Sequence, residues 1–450
     1  MKRKQIATER LLMIGSVVLI TSLAFEALAT TNAMPTVVED LGGDRWYSLA
    51  AGMVLAAQIV STTVAGWWAD RTGVKIPLFL GLTMFSAGAL AAGLAPVLAV
   101  FIIGRAIQGL GAGLIMVPLY VMVGALVSAE RRPMFFAAFS FAWVLPSMIG
   151  PSIAGYIIEQ WDWRPVFWLI VPIALVALAP LFPILKRMPA HESTRAPMPR
   201  TLYAAVVTSI GIVLLQVAGG LTGPAMRMAA AGGLLLLALA LPRLLPKGTF
   251  RAVRGVPAIV ATRGTLMGSL TGVEFFLPLV LSRVHGWTPA QTGLAIAIGS
   301  VTWTIGSWAQ TRIHLWQTRT RVPAAGSILT LVGSAMALTM PFASVSVYVS
   351  LAGFSLMGLG LGLAHSTSSD LSLGATKQSH HGDVSASLQL ADALGPALAM
   401  GITSIALSAW SHVSSPASAY LPAPLVAVAL AILAVIASAR VIGLEHRKNL

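Results

Sequence analysis

Cysteine is absent from all 450 residues, which excludes disulfides, zinc–thiolate centres and thiol catalysis. It also removes any redox argument about the compartment. Charge is scarce as well: Asp, Glu, Lys and Arg make up 10% of the chain against 56% hydrophobic residues, and acids number only 15. So apolar a chain is not a water-soluble globule and reads as a polytopic membrane protein. A Gly-x-x-x-x-Gly-Lys-Ser/Thr loop is also missing, so drive by nucleotide hydrolysis is not expected.

What is present is a series of apolar runs, each of about 20 residues or more, the length that crosses a bilayer. They fall near 11–34, 47–68, 76–94, 97–125, 134–158 and 164–185. A polar linker with Lys186, Arg187, Pro189, Arg195, Pro197, Pro199 and Arg200 follows, then two runs near 202–221 and 228–245, which look like an inserted hairpin. Six more lie near 256–282, 289–310, 323–342, 347–369, 384–410 and 420–441. The layout predicts an all-α protein of fourteen transmembrane helices: a six-helix bundle over 1–185, a linker with two extra helices over 186–255, and a second six-helix bundle over 256–450. Met1-Lys2-Arg3-Lys4 before an apolar run, with Ala27-Leu28-Ala29 beyond, resembles a signal peptide. The run continues to Met34 with Glu26 inside it, so it reads as a first span.

The net charge of +14 sits in short loops and points to orientation, not to nucleic acid. With both termini inside, 23 of the 29 Lys and Arg lie in cytoplasmic segments, four outside (Arg45, Arg164, Arg227, Arg283) and two within spans (Arg105, Arg263), as the positive-inside rule requires. This bias leaves fourteen against twelve spans open, because a two-helix insertion keeps every other loop on the same side.

The charged turn Gly66-Trp67-Trp68-Ala69-Asp70-Arg71-Thr72-Gly73-Val74-Lys75 joins the second and third runs. On physical grounds Gly66 lets helices approach closely, Gly73 turns the chain, and Arg71 and Lys75 hold the turn in the cytoplasm. Gly306-Ser307-Trp308-Ala309-Gln310-Thr311-Arg312 follows the second run of the last six with Gln310 at the Asp70 position, a degenerate internal repeat. Gly-x-x-x-Asp-Arg-x-Gly-x-Lys resembles the signature loop of the major facilitator superfamily. That resemblance implies two six-helix halves around a midplane site, working by alternating access. It also implies that Asp70 meets the positive end of a helix in the other half as a cytoplasmic latch.

Further elements narrow the resemblance. Arg105-Ala106-Ile107-Gln108-Gly109-Leu110-Gly111 is similar to the superfamily's Arg-x-x-Gln-Gly-x-Gly. Gly150, Pro151 and Gly155 match the exporters' Gly-x-x-x-Gly-Pro-x-x-Gly-Gly element, while Pro146 and Ala154 depart from it. Small residues there allow close packing, and the prolines bend the span, which suits a hinge or a seal against leak. Asp162-Trp163-Arg164-Pro165-Val166-Phe167, Phe276-Leu277-Pro278-Leu279 and Gly286-Trp287-Thr288-Pro289-Ala290-Gln291-Thr292-Gly293 resemble the fourteen-span drug:proton antiporter branch, EmrB/QacA-like multidrug exporters.

Charges inside spans are the residues most in need of a role, since each costs about 3 kcal/mol in hydrocarbon. They are Glu26, Arg105, Glu274, Asp392 and Arg263. Glu26 stands nine residues before Pro35, where the resembled family carries an acid before an Ala-Leu-Pro end, with Glu for the usual Asp. Glu26 lies eight residues from the outer span end at Met34, and Arg105 eight from the start at Val97. Both therefore sit about 12 Å deep and can meet. Moving a carboxylate between a guanidinium and an apolar pocket loads and releases a proton; a fixed structural pair is the alternative. Arg263 and Asp392 share a depth of about 10 to 12 Å from the cytoplasmic edge and read as a buried pair, more structural than coupling. Glu274 is placed to hold a cationic substrate or a second proton, or to be solvated near the outer mouth.

Asn32, Trp143, Phe275 and Trp303 are candidates to line a promiscuous apolar pocket, though each alone also reads as packing. His365, Asp370, His380 and His381 lack ligand spacing, and no metal site is expected. The expected function is export of amphipathic drugs or similar compounds in exchange for protons, in a bacterial plasma membrane, by a monomer with no cofactor beyond the proton gradient. Its partners are the bilayer, the small substrate and protons. A major facilitator transporter of one metabolite or lipid is the alternative. A membrane enzyme using Glu26 or Asp392 as acid or base lacks a nucleophile–base pairing, and a sensor on this scaffold lacks an exposed partner domain.

Overall fold

In hydrocarbon every backbone N–H and C=O must find its partner within the chain, and the helix does this segment by segment. The computed structural model describes residues 2–128, 131–187, 200–313, 315–376, 381–410 and 418–444, and within its helices leaves undescribed the side chains of 2–7, 70, 132, 133, 136, 137, 140, 187, 200, 316, 317 and 381–383. Among the described residues it is all helical, without strands.

Two units emerge. The first comprises Met1–Ser209 with Pro289–Gly293. It contains α1 (Lys2–Asp40), α2 (Tyr47–Thr72), α3 (Lys75–Gly93), α4 (Leu98–Leu126), α5 (Arg132–Gln160), α6 (Arg164–Trp168), α7 (Ile170–Arg187) and the first half of α8 (Arg200–Gly220). The second comprises Ile210–Thr288 and Leu294–Leu450. It takes the rest of α8, then α9 (Gly223–Leu244), α10 (Val256–Glu274), α11 (Leu277–His285), most of α12 (Pro289–Ala309), α13 (Trp316–Arg319), α14 (Val322–Ala337), α15 (Val347–Gly374), α16 (His381–Trp410) and α17 (Pro422–Ala439).

Each of the fourteen apolar runs is helical. Among the described residues, twelve helices are long and apolar enough to cross a membrane. The two runs outside that set are α12, which is 21 residues long, and α14, with 16. Helix α14 is short, and α12 carries Gln, Thr and Ser among its apolar positions.

Close helix packing is set by glycine pairs. On α3 Gly81 and Gly88 are seven residues apart, as are Gly104 and Gly111 on α4. Seven residues are two turns, so each pair lines one face. An added Cβ at Gly88 would strike the Gly104 carbonyl and one at Gly104 the Gly88 carbonyl; Gly81 and Gly111 oppose each other in the same way. The second unit repeats the device with Gly326 and Gly333 on α14 against Gly360 and Gly353 on α15. Without a hydrophobic force between helices in lipid, such backbone contact is what holds them together.

The first unit fills its interior with Leu12, Leu19, Ile20, Phe85, Ile115, Leu119, Phe135, Ile170 and Leu181. The second uses Leu266, Leu270, Leu277, Ile296, Phe354, Met357 and Leu361. The later half of α8 docks on α16, where Ser404 Oγ donates to the Gln216 carbonyl at 3.2 Å and Ser408 Oγ to that of Leu221 at 3.1 Å.

Gly66 departs from expectation. An added Cβ there would meet nothing within 4 Å, so no close approach rests on it. The tight contacts of α2 lie earlier in the helix, where Gly109 of α4 packs on the Val54 backbone and Gly113 on Ser61 and Thr62. Gly104→Ala is therefore expected to lower stability by about 1–3 kcal/mol through overpacking. Gly66→Ala is expected to leave it unchanged or raise it by up to about 1 kcal/mol. Denaturant unfolding of the two purified variants in detergent checks the contrast.

Candidate functional site

The first cluster lies in the first unit, where α1 brings Glu26 and α4 brings Arg105 into contact. Glu26 and Arg105 form an ion pair between Glu26 Oε1 and Arg105 Nη1, with both side chains 4% exposed. Two neighbours one turn away complete it. Gln108 Oε1 accepts from Arg105 Nη1 at 2.7 Å, and Thr30 Oγ1 accepts from Nη2 at 3.4 Å. Thr30 itself donates to the Glu26 carbonyl at 2.7 Å. Arg105 Nε and Gln108 Nε2 find no hydrogen-bond partner among the described residues, so the cluster has donors in reserve around a single carboxylate. Removing one member of such a pair would strand the other charge.

A folded support lies beneath it. The Arg105 guanidinium stands 5.9 Å from the Phe167 ring centroid, and Phe167, Phe101 and Trp163 contact one another edge-to-face at 5.4–5.8 Å. Trp163 Nε1 donates to Asp40 at 3.1 Å, and Arg164 pairs with Asp40 at 3.2 Å and Asp162 at 2.9 Å. The Asp162–Phe167 segment thus ties the outer end of α1 to an aromatic floor under Arg105. Its sequence gave a family likeness but no sign of this role.

Asn32 is not free to line a pocket here. It is 3% exposed, and its side-chain amide donates to the Pro151 carbonyl at 2.9 Å and the Pro289 carbonyl at 3.0 Å, all within the first unit. Around it Gly155 packs on the Pro289 and Ala290 backbone, Gly293 on that of Pro151, and Gly150 faces the Phe25 ring. Glu159 accepts from the Ala290 N–H at 2.9 Å. Gly150, Pro151 and Gly155 therefore belong to a packed junction with the first turn of α12. Trp143 is 41% exposed.

At the charged turn, α2 ends at Thr72 and Gly73 adopts φ +77° while its N–H bonds the Ala69 carbonyl; α3 starts at Lys75. Arg71 lies over the Trp67 ring at 5.4 Å. The Asp70 side chain falls outside the described residues. At the corresponding turn of the second unit, Gln310 is buried and its Oε1 accepts from Arg319 at 3.4 Å and Thr367 at 3.3 Å, while Arg319 pairs with Asp370.

The second unit brings Arg263 of α10 onto Asp392 of α16 as a two-pronged pair, Nε to Oδ1 at 2.7 Å and Nη2 to Oδ2 at 2.6 Å. Glu274 closes α10, half-buried and with no hydrogen-bond or ion-pair partner among the described residues. Phe275 follows it, half-buried, and Trp303 meets His365 edge-on at 5.6 Å. Thr30 and Gln108 were overlooked as partners of the charged pair, although their i+4 and i+3 spacings place them on the same helix faces.

The Major Facilitator Superfamily pattern matches residues 14–400. Among relatives, the Multidrug transporter protein MdtP of Bacillus subtilis (strain 168) is 32% identical over 171 residues, covering 37% of this chain and 31% of its own length. The chain thus spans under a third of that relative. The Multidrug efflux pump SdrM of Staphylococcus aureus (strain N315) is 25% identical over 317 residues, 67% of this chain and 68% of that protein. Among solved structures, a POT family transporter crystallised with 5-aminolevulinic acid is similar with a TM-score of 0.68 at 16% identity, covering 95% of this chain and 96% of that one; at that identity the likeness speaks for the fold.

The hydrogen bonds of Asn32 give a clear expectation. Asn32→Ala removes both hydrogen bonds, each contributing about 0.5–1.5 kcal/mol, and is expected to cost about 1–3 kcal/mol of stability while leaving substrate affinity unchanged. Denaturant unfolding in detergent and equilibrium binding on the same preparation separate the two effects.

Proposed function

The chain belongs to the Major Facilitator Superfamily, and on that premise we propose that it is a proton-driven exporter of amphipathic compounds. The observation that carries this reading is the buried Glu26–Arg105 pair with Thr30 and Gln108 around it. While Arg105 is in place, Glu26 can hold its charge. A helix movement that withdraws the guanidinium leaves a bare carboxylate at a cost of about 2.5–3.5 kcal/mol in hydrocarbon, and a proton taken up by Glu26 removes that cost. Return of Arg105 expels the proton. Thr30 and Gln108 hold the guanidinium in register, and the Phe167 floor keeps water from bridging the pair.

In the same reading Gly66, Asp70, Arg71, Gly73 and Lys75 form the cytoplasmic gate, and Gly150, Pro151 and Gly155 the exporter element. Glu274, without a partner among the described residues at the end of α10, attracts a cationic substrate, and Phe275 and Trp303 of the same unit offer apolar surface; Trp143 offers apolar surface within the first unit. Asp392 contributes to coupling from the second unit. The fourteen helical runs span the membrane as six, two and six, with both termini in the cytoplasm of a bacterium and the protein acting as a monomer in its plasma membrane. Likeness to the two multidrug transporters over parts of the chain supports the cargo class.

The test uses liposomes containing the purified protein, an imposed pH gradient, and a panel of lipophilic cations and neutral drugs. The expected result is gradient-dependent movement by the wild type, falling to the level of empty liposomes in Glu26→Gln. Transport that survives that substitution would remove Glu26 from coupling. Movement of no compound, with no proton flux on adding the panel, would favour a transporter of one metabolite or lipid.

A further inference from the structure

The Arg263–Asp392 pair has a third polar partner that the exchange cycle above leaves idle. His365 stands one helical turn before Ser369 on α15, and its Nε2 lies 3.4 Å from Asp392 Oδ2. Ser369 accepts from Arg263 Nη1 at 2.6 Å, so α15 touches both members of the pair. The edge-on contact of the imidazole with Trp303 of α12 fixes its other side. His365 and Asp392 each keep 23% exposure against 8% for Arg263, so the ring and the carboxylate face open space while the guanidinium is sealed behind them.

The charge arithmetic of this group turns on one ring. Among the described residues α10 presents Arg263 to it and α16 presents Asp392, while α12 presents only the indole of Trp303. The next charge on its own helix, Asp370, is paired with Arg319. With a neutral ring the cluster sums to zero. A neutral imidazole that donates from Nε2 to Asp392 leaves Nδ1 as its acceptor. A proton arriving there makes the ring an imidazolium and the cluster a net cation beside Trp303.

We propose that His365 is a proton-binding site whose occupancy excludes an organic cation from the Trp303 face. The inference rests on the exchange reading and adds to it a second site, in the other unit, with a defined cargo charge. An indole face and a net-neutral cluster accept an organic cation; an imidazolium 5.6 Å from the same ring repels it. Uptake of the proton at Nδ1 and departure of the cation are then one exchange, and no covalent bond changes apart from the N–H. Histidine suits the task because its charge changes between about pH 5 and 8, whereas Asp392, held by two prongs of Arg263, supplies the anchor.

The probe is tetraphenylphosphonium, added to the full-length protein in weakly buffered detergent between pH 5.5 and 8, with proton release and cation affinity read together. His365→Gln keeps an amide donor near the position of Nε2 but cannot take a proton. It is expected to release fewer protons per chain than the wild type at the acid end of this range and to bind the cation with an affinity that no longer falls in acid. Glu26→Gln is expected to lose only its own share of the release. Unchanged release and unchanged pH dependence in His365→Gln would overturn the proposal while leaving exchange through Glu26 intact. A wild type that releases no proton and moves no cation in liposomes would overturn both. A second measurement needs no variant: diethylpyrocarbonate modifies only the neutral ring, so peptide mapping of the wild type should show labelling of His365 rising across this pH range. Labelling that is flat with pH also overturns the proposal.

Discussion

Hydrocarbon is a solvent that offers no hydrogen bonds, and both the architecture and the chemistry of this chain follow from that constraint. Backbone polar groups are satisfied within helices, so every regular element among the described residues is a helix. Association of those helices cannot draw on apolar burial against lipid and relies on close contact instead. The glycine pairs supply it. Gly88 with Gly104 and Gly81 with Gly111 in the first unit have their counterparts in Gly333 with Gly353 and Gly326 with Gly360 in the second. Two units built from a degenerate repeat have kept the backbone crossings more faithfully than the side chains.

The same constraint makes each charge inside a span conspicuous. Glu26 is paired with Arg105, and Arg263 with Asp392, each guanidinium held by further hydrogen bonds. Glu274 stands apart without a partner among the described residues. A fully compensated pair is quiet until a movement separates it, and then the protonation state must change or the cost of a bare ion must be met. In the proposed cycle, helix movement and proton movement are for that reason one event. The aromatic floor of Phe101, Trp163 and Phe167 and the Asp40–Arg164–Asp162 brace matter for the same reason: they limit the positions that Arg105 can take.

The two charged turns show how a repeat diverges. Asp70 and Gln310 occupy corresponding places. Replacement of a carboxylate by an amide changes what the turn can hold: Gln310 accepts from Arg319 and Thr367 inside its own unit, with Asp370 supplying the anion for Arg319. The first turn keeps its acid on the chain segment itself. One unit thus closes its charges internally, while the other retains a carboxylate in the turn.

By itself the sequence determined the membrane class, the positions of the apolar runs and the depth of each charge, because these depend only on composition along the chain and on a fixed rise per residue. Equal depth was enough to bring Glu26 to Arg105 and Arg263 to Asp392 as candidate partners. Tertiary structure alone decided which face of each helix met which neighbour. Apolar residues cover every side of a membrane helix, so periodicity carries little information about orientation. For that reason the sequence alone suggests pocket lining for Asn32, whose amide bonds two carbonyls, suggests for Gly66 a close contact that falls instead at Gly109 and Gly113, and offers no partner for His365. A hydrogen bond between residues far apart in the chain needs an azimuth as well as a depth, and only packing supplies the azimuth.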